Sequence, residues 1–287
     1  MRAPDYGPGL HDQLRRLLAE HRLNVRGKRV LLKPNLVEFD PDTPIHTHPL
    51  LVHAALEAFR AMGAEVMIGE GPGHCRNTLD MADAAGYFET IPRFETLFTD
   101  LNLDRVTPVR LAGRRSRLDS LYLAQSAMAC DLIVSMPKMK THHWAGVTLS
   151  MKNLFGVVSG GVYGWPKNIL HWAGISACVA DLYHTLPSQF AIVDGVVGME
   201  GNGPIQGTAK HAGVIVAGAD LAAVDATCCQ IMAIDPRCIE YLKLAMGSVD
   251  KLVGSIQQIG EPVASMRQPF ALPHEWRGKR CNTPHIC

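Results

Sequence analysis

Lysines and histidines are concentrated in one stretch of the chain, residues 131–171. No Asp or Glu occurs between Asp131 and Asp181, whereas a solvated surface normally mixes acids with bases. The basic residues of the stretch are Lys138, Lys140, His142, His143, Lys152, Lys167 and His171. Ammonium groups attract anions, and imidazole titrates near neutrality without help. The stretch therefore predicts a site for an anionic or metallic ligand, the alternative being a basic surface loop.

Polar side chains also follow the first predicted strand. Its apolar residues run into Lys33-Pro34-Asn35, and the strand should stop near Leu32 because proline cannot donate to a ladder. A helix then leads to a second strand, which gives a βαβ unit and a parallel pair. Ligands bind at the carboxyl ends of such strands, so Lys33 and Asn35 are expected at the same rim as the basic stretch, where they would bind substrate.

Two glycine-containing segments follow later strands. Residues 69–74 lack the spacing of a dinucleotide-binding turn and are expected to present Glu70 and His74 at the edge of the sheet, unless the segment is only a structural turn. Residues 194–207 contain five glycines, which allow backbone amides to approach an anion closely. His74 is thus a candidate for proton transfer, and Gly201 and Gly203 are candidates for substrate binding.

The order of helices and strands predicts an α/β protein with a Rossmann-like, mostly parallel sheet flanked by helices. We expect a single domain over residues 1–287, with its core at about 28–245. Alternating residues at about 91–123 predict a small antiparallel β insertion. A tail at 262–287 should be loose, as chain ends often are. Its potential metal ligands are His274, Cys281, His285 and Cys287.

Composition excludes several classes of protein. The 287-residue chain is 47% hydrophobic and 19% charged with a net charge of +1, which argues against a nucleic-acid partner. No apolar run approaches the ~20 residues of a membrane span and no signal peptide is recognisable, so we expect no membrane partner and a cytoplasmic location. The eight cysteines include no C-x-x-C pair, so the chain has no iron–sulfur motif.

Two further histidines occur in the loop after the first strand. His46 and His48 are separated by one residue and could share a divalent metal on one side of an extended segment. Loop histidines are more often simply solvated. A divalent metal is therefore a possible cofactor, and its ligands are not fixed by the sequence.

The chain resembles domain-of-unknown-function family 362 over roughly residues 28–245. The motifs that carry the resemblance are Lys33-Pro34-Asn35, Pro137-Lys138-x-Lys140-Thr141-His142, Thr148-x-x-x-Lys152-Asn153-Leu154-Phe155-Gly156, His171, Asp194-Gly195, Gly201-x-Gly203-Pro204-x-x-Gly207, and Asp220 with Asp225. Many members carry an iron–sulfur module, which implies an oxidoreductase. This chain lacks the cysteine spacing of that module, so an electron relay would need a separate redox partner.

A fainter resemblance connects the chain to the N-terminal domain of nickel-dependent lactate racemase. It implies that His74 and His142 exchange protons with substrate, that Lys152 tethers a cofactor or anchors an anion, and that His171 is a possible metal ligand. The glycine-rich approach to the lysine is replaced here by residues 148–151, and no second racemase-like domain fits in the length. A nickel-pincer cofactor is therefore not expected.

These observations favour an enzyme that acts on a small carboxylate or phosphate by Lys/His acid–base chemistry, either an oxidoreductase or an isomerase or lyase. The catalytic candidates are His142, His74, Lys152 and His171. The substrate-binding candidates are Lys33, Asn35, Lys138, Lys140, Asn153, Gly201 and Gly203. The alternative is a metal- or cofactor-binding carrier or maturation protein without turnover. A homo-oligomer is possible.

Overall fold

The computed structural model of the protein describes residues 1–74 and 77–276. Within these ranges the strands are β1 (Arg29–Pro34), β2 (Glu65–Glu70), β3 (Phe98–Asp100), β4 (Val106–Arg110), β5 (Ser120–Ala124), β6 (Leu132–Met136), β7 (Lys138–His142), β8 (Gly146–Thr148), β9 (Gln189–Asn202) and β10 (Gln206–Gly218). The α-helices are α1 (Leu10–Glu20), α2 (Pro49–Ala61), α3 (Thr78–Ala84), α4 (Tyr87–Thr90), α5 (Phe94–Leu97), α6 (Gln125–Ala129), α7 (Ser150–Asn153), α8 (Gly160–Tyr163), α9 (Asn168–Trp172), α10 (Ile175–Thr185), α11 (Leu221–Ile231), α12 (Glu240–Met246), α13 (Val249–Ser255) and α14 (Val263–Met266). Single 3-10 turns lie at Leu154–Val157, Pro236–Cys238 and His274–Trp276.

A mostly parallel sheet forms the centre of the protein, and the predicted α/β class is confirmed. Its order is β3-β2-β1-β6-β9-β7-β8, with β10 pairing β9 in antiparallel fashion. Successive residues of β1 point to opposite faces, so Val30 and Leu32 join the core under α1 and α2, whereas Leu31 joins the core under α10, α11 and α12. No helix of the described residues is long and apolar enough to cross a bilayer.

The predicted antiparallel insertion is present but shorter than expected. β4 and β5 pair antiparallel from Val106 opposite Ala124 to Arg110 opposite Ser120. The residues before β4 differ from the predicted antiparallel strands. Phe94–Leu97 form the helical turn α5, and β3 joins the main sheet parallel to β2. The buried ring of Phe94 packs on Phe98 with ring centroids 4.9 Å apart, which anchors this helical turn against the sheet.

Two strand boundaries depart from the prediction at prolines. β1 runs through Pro34, which pairs with Met136 of β6, instead of stopping near Leu32. Pairing with β2 already ends at Leu32, so at Pro34 the strand has a neighbour on one side only and the missing amide is tolerated. After Pro137 the basic stretch forms the strand β7 and not the basic surface loop that was the alternative, because the 14-residue β9 extends beyond β6 and offers a second parallel edge.

The described part of the C-terminal tail packs on the core, so the prediction of a loose tail is wrong for it. Phe270 is fully buried, and its amide donates to the carbonyl of Met232 at 3.0 Å. The indole Nε1 of Trp276 donates to the carbonyl of His143 at 2.9 Å. Burial of these two rings offsets the entropy of ordering the segment. His274 lies within this part, whereas Cys281, His285 and Cys287 lie outside the described residues.

Replacing Asp194 with Asn should destabilise the fold. Asp194 is fully buried in β9, where one oxygen accepts from Lys138 Nζ at 2.7 Å and the other from the Tyr6 hydroxyl at 2.7 Å. Removing one partner of a buried ion pair leaves an uncompensated charge and typically costs about 3–5 kcal/mol. We expect a loss of that size in the free energy of unfolding measured by urea denaturation.

The matched control is Glu57→Gln, which breaks an exposed pair with Arg60 at 3.3 Å. Exposed pairs of this kind contribute about 0.5 kcal/mol or less. Similar small losses for the two variants would show that the Asp194 contact does not hold β7 against β9.

Candidate functional site

Most of the predicted site residues line one cavity of about 110 Å³ at the carboxyl ends of the strands. They are Lys33, Asn35, His74, His142, Lys152, Asn153 and His171. The wall also contains residues outside the predicted set, among them Glu70, Thr148, Phe155, Gly156 and Lys167. A larger groove of about 1010 Å³ beside α1, β10 and α11 contains none of the predicted residues. Parallel-strand geometry therefore collects the basic residues at one place, as expected for an α/β sheet.

A buried ion pair forms the floor of the cavity. Lys33 Nζ, at the end of β1, lies 2.8 Å from Glu70 Oε2, at the end of β2, and both side chains are at most 2% exposed. Glu70 also accepts from the amides of Leu36 at 3.2 Å and Gly71 at 2.7 Å. These contacts neutralise both charges and join the two strand ends.

Asn153 fixes the segment that follows β8 to this floor. Its Oδ1 accepts from Lys33 Nζ at 3.1 Å and from Asn35 Nδ2 at 3.2 Å, while its Nδ2 donates to Lys33 O and Ser135 Oγ. Asn153 thus has little capacity left for a ligand. Its role is to hold α7, and with it the neighbouring Lys152, over the ends of β1 and β6.

Lys152 presents a cation to the cavity. Its Nζ lies over the ring of Phe155, 4.4 Å from the centroid, and no carboxylate of the described residues is within ion-pair distance. Burial, and then the positive charge of Lys33, lower the pKa of Lys152 to about 8. Near neutral pH the ammonium form still dominates, and no carboxylate of the described residues neutralises it.

Lys167 is the second lysine of the cavity wall that has no carboxylate partner among the described residues. Its Nζ donates to the carbonyls of Gly71 at 2.7 Å and Phe155 at 3.5 Å, and the residue is 4% exposed. Burial is the largest influence and lowers the pKa of Lys167 to about 7; Glu70 opposes this shift and Lys33 adds to it. This lysine is therefore a mixture of amine and ammonium at neutral pH.

The turn between β7 and β8 fixes the tautomer of His142. Its Nδ1 accepts from the amides of Trp144 at 3.1 Å and Ala145 at 3.2 Å, so the proton of the neutral ring is on Nε2. Burial, followed by the charge of Lys152, holds the pKa of His142 well below its usual range. His142 is accordingly a neutral hydrogen-bond donor toward the cavity.

His171 and His74 are the other imidazoles of the wall. The Nδ1 atom of His171 is buried and without a hydrogen-bond partner, and its ring meets Trp144 edge-on with centroids 5.2 Å apart. Burial and Lys152 lower the pKa of His171, which favours the neutral base. His74 is exposed at the mouth of the cavity. Of the two, His171 is thus the sheltered base.

Two further polar atoms of the wall lack partners. The Oδ1 of Asn35 and the Oγ1 of Thr148 are buried and make no hydrogen bond. A buried polar group without a partner costs about 1–3 kcal/mol, so such groups normally meet water or a ligand. Both residues line the cavity beside Lys152, so two buried acceptors and one ammonium meet in the same space.

Comparison with known proteins agrees with the motifs of the sequence. The family model described as Domain of unknown function (DUF362) matches residues 30–230. The chain belongs to the DUF362 family. Its matched region contains every residue of the cavity wall, so the candidate site is part of the family domain.

Two individual proteins are similar to this DUF362 chain. Thylakoid-associated protein sll1697 of Synechocystis sp. is 30% identical over 224 residues, which are 74% of this chain and 65% of that protein. The lactate racemase apoprotein of Thermoanaerobacterium thermosaccharolyticum aligns with 81% of this chain and 56% of its own, with 16% identity and a TM-score of 0.48. This chain thus spans less than two thirds of the length of either protein.

Four predicted substrate-binding residues of the DUF362 chain do not reach the cavity wall. Lys138 pairs with Asp194, and Lys140 Nζ donates to the carbonyl of Ile45 at 2.9 Å. Gly201 lies at the end of β9 and Gly203 in the turn that follows, and Thr141 Oγ1 donates to Gly201 O at 2.8 Å. The parallel register of β7 on β9 directs the side chains of both lysines into the protein. Thr141 of β7 contacts the glycine segment, where the sequence had predicted an anion.

The histidines proposed to share a metal face different partners. His48 caps α2 through Nδ1, which accepts from the Leu50 amide, and stacks on Tyr6 at 3.7 Å. His46 stacks on Phe39 at 6.0 Å. In the ranges 1–74 and 77–276, no group of three or more His, Cys, Asp or Glu could hold a metal ion. The metal ligands therefore stay unassigned.

Lys167 was noted as part of the basic stretch but was not among the predicted catalytic or substrate-binding residues. It belongs to the basic stretch, but its surroundings of Trp165, Pro166 and Gly164 resemble a flexible loop. The available signal was its spacing from His171, since residues four apart share a helix face. In the structure Lys167 precedes α9 and His171 lies in its last turn.

Replacing Gly156 with Ala should disrupt the floor of the cavity. A Cβ at this position would collide with Glu70 Oε1 and lie 2.5 Å from Lys33 Nζ, so the ion pair would have to open. Overpacking of this kind costs on the order of 1–3 kcal/mol. We expect that loss in the free energy of unfolding measured by urea denaturation.

Gly73→Ala is the matched control, because Gly73 lines the same cavity and its added Cβ would meet nothing within 4 Å. A change within about 0.5 kcal/mol is expected for it. If Gly156→Ala were equally harmless, the close packing around the Lys33–Glu70 pair would be disproved.

Proposed function

We propose that this protein is an enzyme that binds a small organic anion in the cavity and transfers protons with histidine. The observation that carries the proposal is the convergence of Lys152, which has no carboxylate partner, with the unpartnered Asn35 Oδ1 and Thr148 Oγ1. A surface loop would leave such groups in water. Here a single ligand would satisfy all three.

The charge of the cavity selects the ligand class. Lys33 and Glu70 neutralise each other, so Lys152 and Lys167 supply the remaining positive charge. A carboxylate or phosphate group is the complementary partner. A cavity of about 110 Å³ has room for a few water-sized groups, which limits the enclosed part of the ligand to a small molecule.

The buried His142 and the half-buried His171 have different roles in this proposal. His142 donates from Nε2, because its Nδ1 is occupied by two amides, and so polarises a ligand oxygen. His171 keeps a free Nδ1 and a lowered pKa, which suit a general base. His74 at the mouth would return the proton. Together they support removal of a proton from the carbon beside the anionic group.

This chemistry is that of an isomerase or lyase. An oxidoreductase would use the same anion site and would also need a redox cofactor or a separate redox partner. A carrier of a metal or cofactor would need ligands at the cavity, but would not need an oriented donor such as His142 opposite a base. The oriented pair therefore favours turnover over storage.

We also propose a cytoplasmic location. The related protein of Synechocystis sp. is described as thylakoid-associated, so attachment to a membrane surface is the alternative. Sedimentation of native membranes at low and high salt distinguishes the two, since surface attachment through charge is lost at high salt.

Anion affinity should fall with rising pH. Lys152 binds an anion only as the ammonium, and its pKa of about 8 implies a loss of roughly tenfold per pH unit above 8. Calorimetric titration with oxalate, fully ionised from pH 6 to 9.5, measures this. Lys152→Met should weaken binding at pH 7 at least about tenfold, or 1.4 kcal/mol.

In urea denaturation at pH 6, Lys152→Met should raise the free energy of unfolding, because it removes a charge that has no counter-ion in the unliganded protein. Lys251→Met changes an exposed lysine and should alter neither property. Oxalate affinity that is constant over this pH range, or unaffected by Lys152→Met, would refute the anion site.

Proton transfer should be visible as hydrogen exchange. In deuterium oxide, NMR should show enzyme-dependent loss of the C2 hydrogen of lactate or malate, or of the methyl hydrogens beside the ketone of pyruvate, for at least one compound. His171→Ala should slow this exchange by about 10²–10⁴-fold, the usual contribution of a general base. His142→Gln should slow it less, since an amide N–H still donates. Exchange unchanged in His171→Ala would remove His171 as the base.

A further inference from the structure

The lysines of the cavity wall are held in two different ways. Lys33 is paired with a carboxylate, which favours its protonated form, whereas Lys167 is held by the carbonyls of Gly71 and Phe155. We propose that Lys167 is a nucleophile that forms an imine with the carbonyl carbon of a 2-oxo acid bound in the cavity. This inference rests on the proposed function and narrows its substrate class.

The contacts of Lys167 suit an amine. Carbonyl oxygens accept N–H bonds without contributing a full negative charge, so the neutral amine keeps both of its donors satisfied. Two acceptors occupy two positions of the tetrahedral nitrogen, and the remaining one is left for the cavity that Lys167 lines. The lowered pKa, caused chiefly by burial, agrees with this geometry.

Lys152 is the poorer nucleophile of the pair. Its Nζ lies 4.4 Å from the centroid of the Phe155 ring, and the face of an aromatic ring favours the ammonium over the amine. Lys152 is thus suited to hold the carboxylate of a ligand. A molecule with a carboxylate next to a ketone or aldehyde would engage both lysines within one small cavity.

The step balances without an added oxidant or reductant. The Lys167 nitrogen attacks the carbonyl carbon, a C–N bond forms, and the oxygen takes a proton to give a carbinolamine. A second proton converts the hydroxyl into one leaving water, and the imine results; amine plus ketone thus yield imine plus water. His171, one helical turn after Lys167, lines the same wall and is placed to pass these protons. The imine in turn acidifies the adjacent C–H bond.

The experiment traps the imine on the wild-type protein. Pyruvate and sodium cyanoborohydride are added at pH 7, and the mass of the intact chain and of its peptides locates the reduced adduct. Lys167→Arg keeps a cation but cannot form an imine, and Lys251→Arg, at an exposed lysine outside the cavity, is its control. Oxalate binding, which needs no carbonyl, is measured in parallel on each protein.

We expect one adduct, on Lys167, that is suppressed by excess oxalate, absent in Lys167→Arg and still formed in Lys251→Arg. Oxalate binding without an adduct on Lys167, or labelling only of Lys152 or of exposed lysines such as Lys251, overturns the inference and leaves the proposed function standing. Absence of both oxalate binding and adduct overturns both. Because the wild-type peptides alone locate the adduct, misfolding of a variant does not change which lysine is assigned.

Discussion

The ion pair between Lys33 and Glu70 is the contact on which the candidate site depends. It joins the carboxyl ends of β1 and β2, and through Asn153 it also holds α7. A buried pair is tolerated only when its remaining donors and acceptors are satisfied, and here the amides of Leu36 and Gly71 complete the set. Gly156 must be glycine in this arrangement because a side chain would occupy the position of Glu70.

Several lysines of the protein are neutralised or enclosed and are therefore not open to an anion. Lys138 is cancelled by Asp194, as Lys33 is by Glu70, and Lys140 is enclosed without contact to the cavity. Lys152 is left as an ammonium without a carboxylate. The same basic stretch therefore serves two purposes, since one part ties β7 into the sheet and the other lines the cavity.

The position of the site was predictable, because parallel strands bring their ends to one edge whatever their order along the chain. That rule correctly placed Lys33 beside Lys152. It could not reveal that Lys138 is withdrawn, since its partner Asp194 lies 56 residues away and meets it only through the register of β7 on β9. The packed tail likewise depends on a contact between Trp276 and His143 that no local pattern encodes.

Stability alone does not account for Lys152. An ammonium without a carboxylate weakens the fold, and an apolar residue of similar volume would remove that cost. Lys152 nevertheless lines the cavity together with unsatisfied atoms of Asn35 and Thr148. Each group is unfavourable in the empty protein, and an anion with hydrogen-bonding oxygens would satisfy them at once. The cost to the free protein is then recovered in the complex, which is how preorganised sites for charged ligands are built.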